Sequence, residues 1–134
     1  MIIVDVMTEL GDALDTIEGL RVDRYPGEHP RPPCAMVQWP DSIDFDGSMA
    51  RGMDRLEIEV DVIAGELVSR TGPALMSPYI SGAGASSVKR ALESFTYSAC
   101  SSVRVESVRF VSTTIGDVQY ITAIFTVDVV GPGS

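Results

Sequence analysis

With 134 residues, 45 % of them apolar, the chain carries one core and has no room for a second domain of ordinary size. Its 19 acidic against 10 basic residues give a formal charge of -9, which opposes binding to a phosphate backbone and sets sequence-specific DNA or RNA recognition aside. The longest apolar run, residues 121–130, is interrupted by Thr and Asp and falls short of the roughly 20 residues of a membrane-spanning helix, so no membrane partner is expected.

From the N-terminus, Ile3, Val6, Met7, Leu10, Ala13, Leu14 and Ile17 recur at helical spacing, and Gly19 stands where a left-handed cap stops a helix. An amphipathic helix over residues 2–18 is predicted. Acidic residues occupy the place where a secretory signal carries Lys or Arg, so synthesis and assembly in a cytoplasm are expected. Residues 20–25 read as a short strand. Four prolines within residues 26–33 suit neither a helix nor a central strand, which makes that stretch an ordered loop. A second strand, residues 34–40, leads into residues 41–47, where Ile43 and Phe45 alternate with acids before Asp46 and Gly47 signal a turn.

Residues 55–63 form the most regular stretch of the chain. Leu56, Ile58, Val60 and Val62 alternate with Glu57, Glu59 and Asp61, so a strand from about 53 to 64 presents one apolar face and one face of three carboxylates.

Residues 65–84 are too rich in Gly, Pro and Ser for a continuous helix, with at most a single turn over 73–80. So long a loop in a small domain is usually functional. Its Leu67, Val68, Leu75, Met76, Tyr79 and Ile80 are too apolar to stand free in water, which suggests ordering against another chain. The subunit-interface candidates are Arg70, Leu75, Met76, Tyr79 and Ile80; Arg and Tyr are the types that anchor interfaces. The same composition also suits a loop folded over its own sheet.

Ser86 or Ser87 caps a second helix to about residue 97, with Val88, Ala91, Leu92 and Phe95 on one stripe. A strand over 103–111 changes apolar parity between Val105 and Val108, as a bulge would cause. Gly116 and Asp117 turn into a last strand, residues 118–130, completing a terminal hairpin; residues 131–134 are expected to fray. The order predicts one α+β domain over residues 1–134, a mostly antiparallel sheet with two helices packed on one face.

Chemistry is harder to find. His29, beside Pro30, is the only histidine, so a nucleophilic triad lacks its base, and Cys34 and Cys100 with one histidine give no zinc-ligand spacing. Two cysteines are also too few for a disulfide scaffold, and both are expected reduced and buried. No phosphate-cradling or dinucleotide glycine motif follows a strand. No catalytic residue, cofactor or metal is assigned, and the chain does not read as an enzyme.

Glu57, Glu59 and Asp61 are the one cluster with chemical potential. Neighbours on one strand face stand about 6–7 Å apart, compatible with a hard cation or a carboxylate pair. Catalytic pairs normally come from different elements, whereas three acids on an open face stay ionised and solvated, so the preferred reading is a charged outer face. Asp41, Asp44 and Asp46 resemble a calcium loop only loosely, lacking the glycine and terminal Glu at their proper offsets. Nine of the ten basic residues are Arg, which suits bidentate contacts to carboxylates across interfaces or, equally, a GC-rich coding sequence.

In the order of its elements the chain resembles the tail terminator proteins of long-tailed, non-contractile bacteriophages. The shared features are a helix, short strands around a proline-rich connection, the acidic strand 55–63, a long loop, the helix 85–97 and the hairpin 103–130. The resemblance spans nearly the whole chain and rests on size, order and charge. It implies a structural virion protein at the head-proximal end of the tail. Six copies would form a ring that caps the tube and ends its polymerisation. The partners implied are further copies of itself, the major tail tube protein, a neck or head-completion protein, and DNA passing through without specific binding. Glu57, Glu59 and Asp61 would be candidates for an acidic lumen wall, which repels phosphates; an outer or tube-facing position is equally open. Another neck, tail-completion or head-tail connector protein is the nearest alternative, and a small acidic metal-binding domain a more distant one.

Overall fold

A computed structural model describes residues 1–23, 33–45, 52–66 and 72–132. Helix α1 (Ile3–Leu14) buries Val6, Met7, Leu10, Gly11, Ala13 and Leu14 along one side, as its periodicity predicts. It stops at Leu14 rather than near residue 18. Ile17 stays buried from within the following turn, its N–H bonded to the Leu14 carbonyl at 3.0 Å, and Gly19 takes a φ of +82°.

One sheet holds, from edge to edge, β1 (Arg21–Asp23), β2 (Cys34–Val37), β4 (Met53–Glu66), β6 (Val118–Pro132) and β5 (Ser102–Ile115). Strand β1 pairs in parallel with β2, and every other pairing among the described residues is antiparallel. Strand β4 (Met53–Glu66) is central, with β6 (Val118–Pro132) along its whole length on one flank. On the other flank β2 pairs with residues 60–63 and the short β3 (Ile43–Asp44) with Arg55 and Leu56. Strand β5 (Ser102–Ile115) closes the hairpin through the turn at Gly116 and Asp117, with its register shift between Val105 and Ser107. The bulge therefore falls where the parity change predicts it.

Helix α2 (Gly72–Ile80) departs from the predicted loop: nine residues are helical instead of one turn. Pro73 lies in the first turn, where a missing N–H leaves no bond unmade. Two glycines then let the backbones touch. A Cβ on Gly72 would lie 2.0 Å from the Glu66 carbonyl oxygen, and one on Gly65 (φ +77°) would lie 2.3 Å from that of Gly72. Packing against the end of β4 thus overrides weak helix propensity.

Helix α3 (Val88–Ser94) is capped by Ser87, whose Oγ accepts from the Arg90 N–H at 3.1 Å and donates to the Ser81 carbonyl at 2.5 Å. It ends at Ser94 rather than near residue 97, and the Tyr97 hydroxyl donates to the Leu92 carbonyl at 2.6 Å.

Leu56, Ile58, Val60 and Val62 of β4 join Ala123, Phe125, Val127 and Val129 of β6 in one core with α1, Met76 of α2, and Val88 and Leu92 of α3. The α+β class stands, and among the described residues three helices contribute to the core where two were expected. Residues 131 and 132 belong to β6 rather than to a frayed tail: the Met1 ammonium donates to the Pro132 carbonyl at 2.7 Å, and Gly131 is buried beside Met1 and Cys100.

Candidate functional site

The alternation in β4 turns Arg55, Glu57, Glu59 and Asp61 to the face opposite the core. Across β6 the register sets Glu57 beside Asp128, Glu59 beside Thr126 and Asp61 beside Ile124. One strand further, Arg104 lies opposite Asp128 and Arg109 opposite Ile124. Cations from the same chain therefore interleave with the acid row.

Arg55 donates through Nε to Asp128 Oδ1 at 2.6 Å and through Nη2 to Glu106 Oε1 at 3.2 Å. Its side-chain hydrogen bond to Asp128, followed by the charge of that carboxylate, raises the guanidinium above its ordinary value. Arg109 Nη2 meets Glu59 Oε2 at 2.8 Å. Asp61 Oδ2 accepts from Gln38 Nε2 at 3.1 Å. Burial, then the charge of Glu59, pushes Asp61 above the usual carboxylate value, and the Gln38 and Arg109 side chains only partly offset that.

The expectation of three equally solvated acids is thereby corrected. Glu57 is exposed, while Glu59 and Asp61 are half-buried, each with a donor from another strand or its connection. Two clefts flank the row. One, of about 300 Å³, is lined by Asp41, Ser42, Glu57, Glu59 and Thr126; the other, of about 220 Å³, by Ser42, Asp44, Arg55, Leu56 and Glu57. Among the described residues no three His, Cys, Asp or Glu side chains converge as metal ligands would. His29 and Asp46 lie outside the described residues. Both cysteines are buried, and burial together with the charge of Glu9 pushes the Cys100 thiol up to about 11.

The interface candidates separate. Arg70, with Leu67 and Val68, lies outside the described residues. Leu75 is 56 % exposed on α2, and Tyr79 and Ile80 are half-buried against the core. Met76, at 2 % exposure, faces its own core and presents no surface to a neighbour. Leu75 and Tyr79 instead help Pro33, Ala64, Gly65, Glu66 and Tyr120 line a mostly apolar hollow of about 220 Å³.

Sequence reasoning missed a second set of apolar side chains in the open. Trp39 and Phe45 (76 % exposed) lie on the β3 flank, and Phe110 (52 % exposed) and Val111 on β5. The available signal was the pair Phe110 and Val111 itself: consecutive apolar residues in a strand point to both faces, and one of those faces cannot be core.

No model of a known protein family matches the sequence, and no curated protein is significantly similar to it.

Proposed function

We propose that this chain is a structural subunit of a long, non-contractile phage tail, a terminator that closes into a ring of six on the tube tip. In that role it ends tube polymerisation and offers its far side to a neck or head-completion protein. The observation that carries the reading is the placement of exposed apolar side chains on opposite flanks of one sheet, Trp39 and Phe45 on one and Phe110 and Val111 on the other. A ring closes through heterologous contacts, so each subunit needs two different patches.

The acid row supports the reading in a second way. Glu57, Glu59 and Asp41 line an open cleft on a chain of net charge -9, and a wall of that sign repels passing DNA rather than retaining it. Glu59 and Asp61 accept hydrogen bonds from Arg109 and Gln38, which sets where two of its carboxylates lie.

The test is the oligomeric mass of the purified chain, alone and with tail tube protein, combined with negative-stain images. Rings of six chains, or tubes capped at one end and arrested in length, are expected. A monomer at high concentration that leaves tube growth unchanged would overturn the assignment.

A further inference from the structure

β5 ends the strand order, and among the described residues no strand pairs with its outer edge. Ile115 and Val118 flank a two-residue turn and so bond each other; bonded positions then alternate back along the strand through Thr113, Val111 and Arg109. The backbone groups of Val108, Phe110, Ser112 and Thr114 therefore point outward. Below the bulge the outward Val105 N–H is already held by Glu93 Oε2 at 3.0 Å. What stays open is a stretch without Pro, Gly or acid, with Val108 and Phe110 on one face and Val111 on the other, the kind of edge that recruits another strand.

The opposite flank offers a matching strand. Strand β3 runs antiparallel to β4, and β5 runs alongside β4 in the same direction, so copies repeated head to tail would bring β3 against β5 antiparallel. Ile43 pairs with Leu56 and shares its core-side face, Phe45 follows at the same parity, and Asp44 lies on the acid-row side. On β5, Val108 and Phe110 share the core side and Arg109 the other.

We infer that the β3 edge of a second copy of this chain docks on the β5 edge, with Asp44 beside Arg109, Ile43 beside Phe110 and Phe45 beside Val108. Charge complementarity and facing parity both select this occupant. Arg109 already bonds Glu59 but stays 60 % exposed, and a guanidinium has donors for a second carboxylate. The same register carries the rest of β5 past Trp39, which lies exposed in the gap between β2 and β3. Because β3 pairs low on β4 while Arg109 lies level with Asp61, successive copies are staggered, the shear that a closed sheet needs. The inference deepens the ring reading and takes from it only the closure, not the pairing.

Mixing Asp44→Cys and Arg109→Cys chains under mild oxidation tests it. Within one chain these positions are three strands across and several residues along, on the order of 20 Å, beyond the reach of a disulfide. A mixed dimer is expected, absent from either variant alone, and the double variant should give a ladder of cross-linked chains. A yield no higher than with Asp15→Cys in place of Asp44→Cys overturns the pairing, as does self-cross-linking of Arg109→Cys, which would make β5 its own partner. Ser112→Pro removes an outward donor that the hairpin does not use, and should weaken self-association about tenfold or more with the circular dichroism unchanged; unaltered association also overturns it. Rings without cross-links would sink the pairing and keep the terminator reading; a ladder from chains that never close would do the reverse.

Discussion

Arg109, on the edge strand β5, reaches over β6 to bond Glu59 on β4, Nη2 to Oε2 at 2.8 Å. The register accounts for the span. Arg109 lies opposite Ile124 and Ile124 opposite Asp61, so the guanidinium arrives beside the acid row from two strands away.

That pair is open to solvent, with side-chain exposures of 60 % and 39 %, so its worth is bounded by screening and side-chain entropy. A double-mutant cycle on Arg109→Ala and Glu59→Gln, read by urea unfolding, should give a coupling of about 0.2–1 kcal/mol. The coupling should fade as salt approaches 1 M, where the Debye length is about 3 Å. A coupling that survives high salt would mean the pair is better shielded than its exposure implies.

Asp61 predicts a pH dependence of definite sign. Burial, then the charge of Glu59, raises its folded pKa above the ordinary 3.8. Between 3.8 and that raised value the folded chain holds a proton that the unfolded chain has released, so this group makes stability fall as pH rises through the window. Asp61→Asn abolishes the titration while its amide oxygen can still accept from Gln38. The variant should match or exceed the parent in stability at neutral pH, its relative advantage growing from about pH 4 upward. Thermal melts across that range check it, and a variant less stable at pH 7 would contradict the burial account.

Glu9 ties α1 to the chain after α3. Its carboxylate accepts from the Ser98 N–H at 2.9 and 3.1 Å, the Ser98 hydroxyl at 2.6 Å and the Ala99 N–H at 2.9 Å. Glu9→Ala leaves those donors without their acceptor, and should cost about 1–3 kcal/mol in chemical unfolding. Hydrogen exchange at the Ser98 and Ala99 amides should speed up by more than the global loss of stability accounts for.

What was legible in the sequence was what short-range period controls. The alternation of Leu56, Ile58, Val60 and Val62 fixed β4 and its core face, and the slip after Val105 located the bulge. The arginine neighbours of the acid row were not legible, because they arrive through pairings between residues about 50 apart or more in the chain. Nor was the Glu9 clamp, whose partners lie about 90 residues away. Helix α2 was misread for a different reason. Glycine and proline argue against a helix on propensity alone, and only the contact of residues 65 and 66 with residue 72, unseen in one dimension, reverses the balance.

Gly72→Ala tests that reversal. The added methyl would stand 2.0 Å from the Glu66 carbonyl oxygen, a backbone atom that cannot swing aside as a side-chain tip could. The start of α2 must then part from β4, at a cost of about 1–3 kcal/mol, typical of overpacking. Alanine is the better helix former, so propensity alone predicts the opposite sign. Gly82→Ala supplies the control, since nothing lies within 4 Å of a Cβ there, and should change stability by no more than about 0.5 kcal/mol. If Gly72→Ala destabilises and Gly82→Ala does not, α2 is held by its close backbone contact with β4. Met76, buried by the same packing, should then lose protection together with the α2 amides in hydrogen exchange. Should Gly72→Ala instead stabilise the fold, local propensity governs α2 and the contact is incidental.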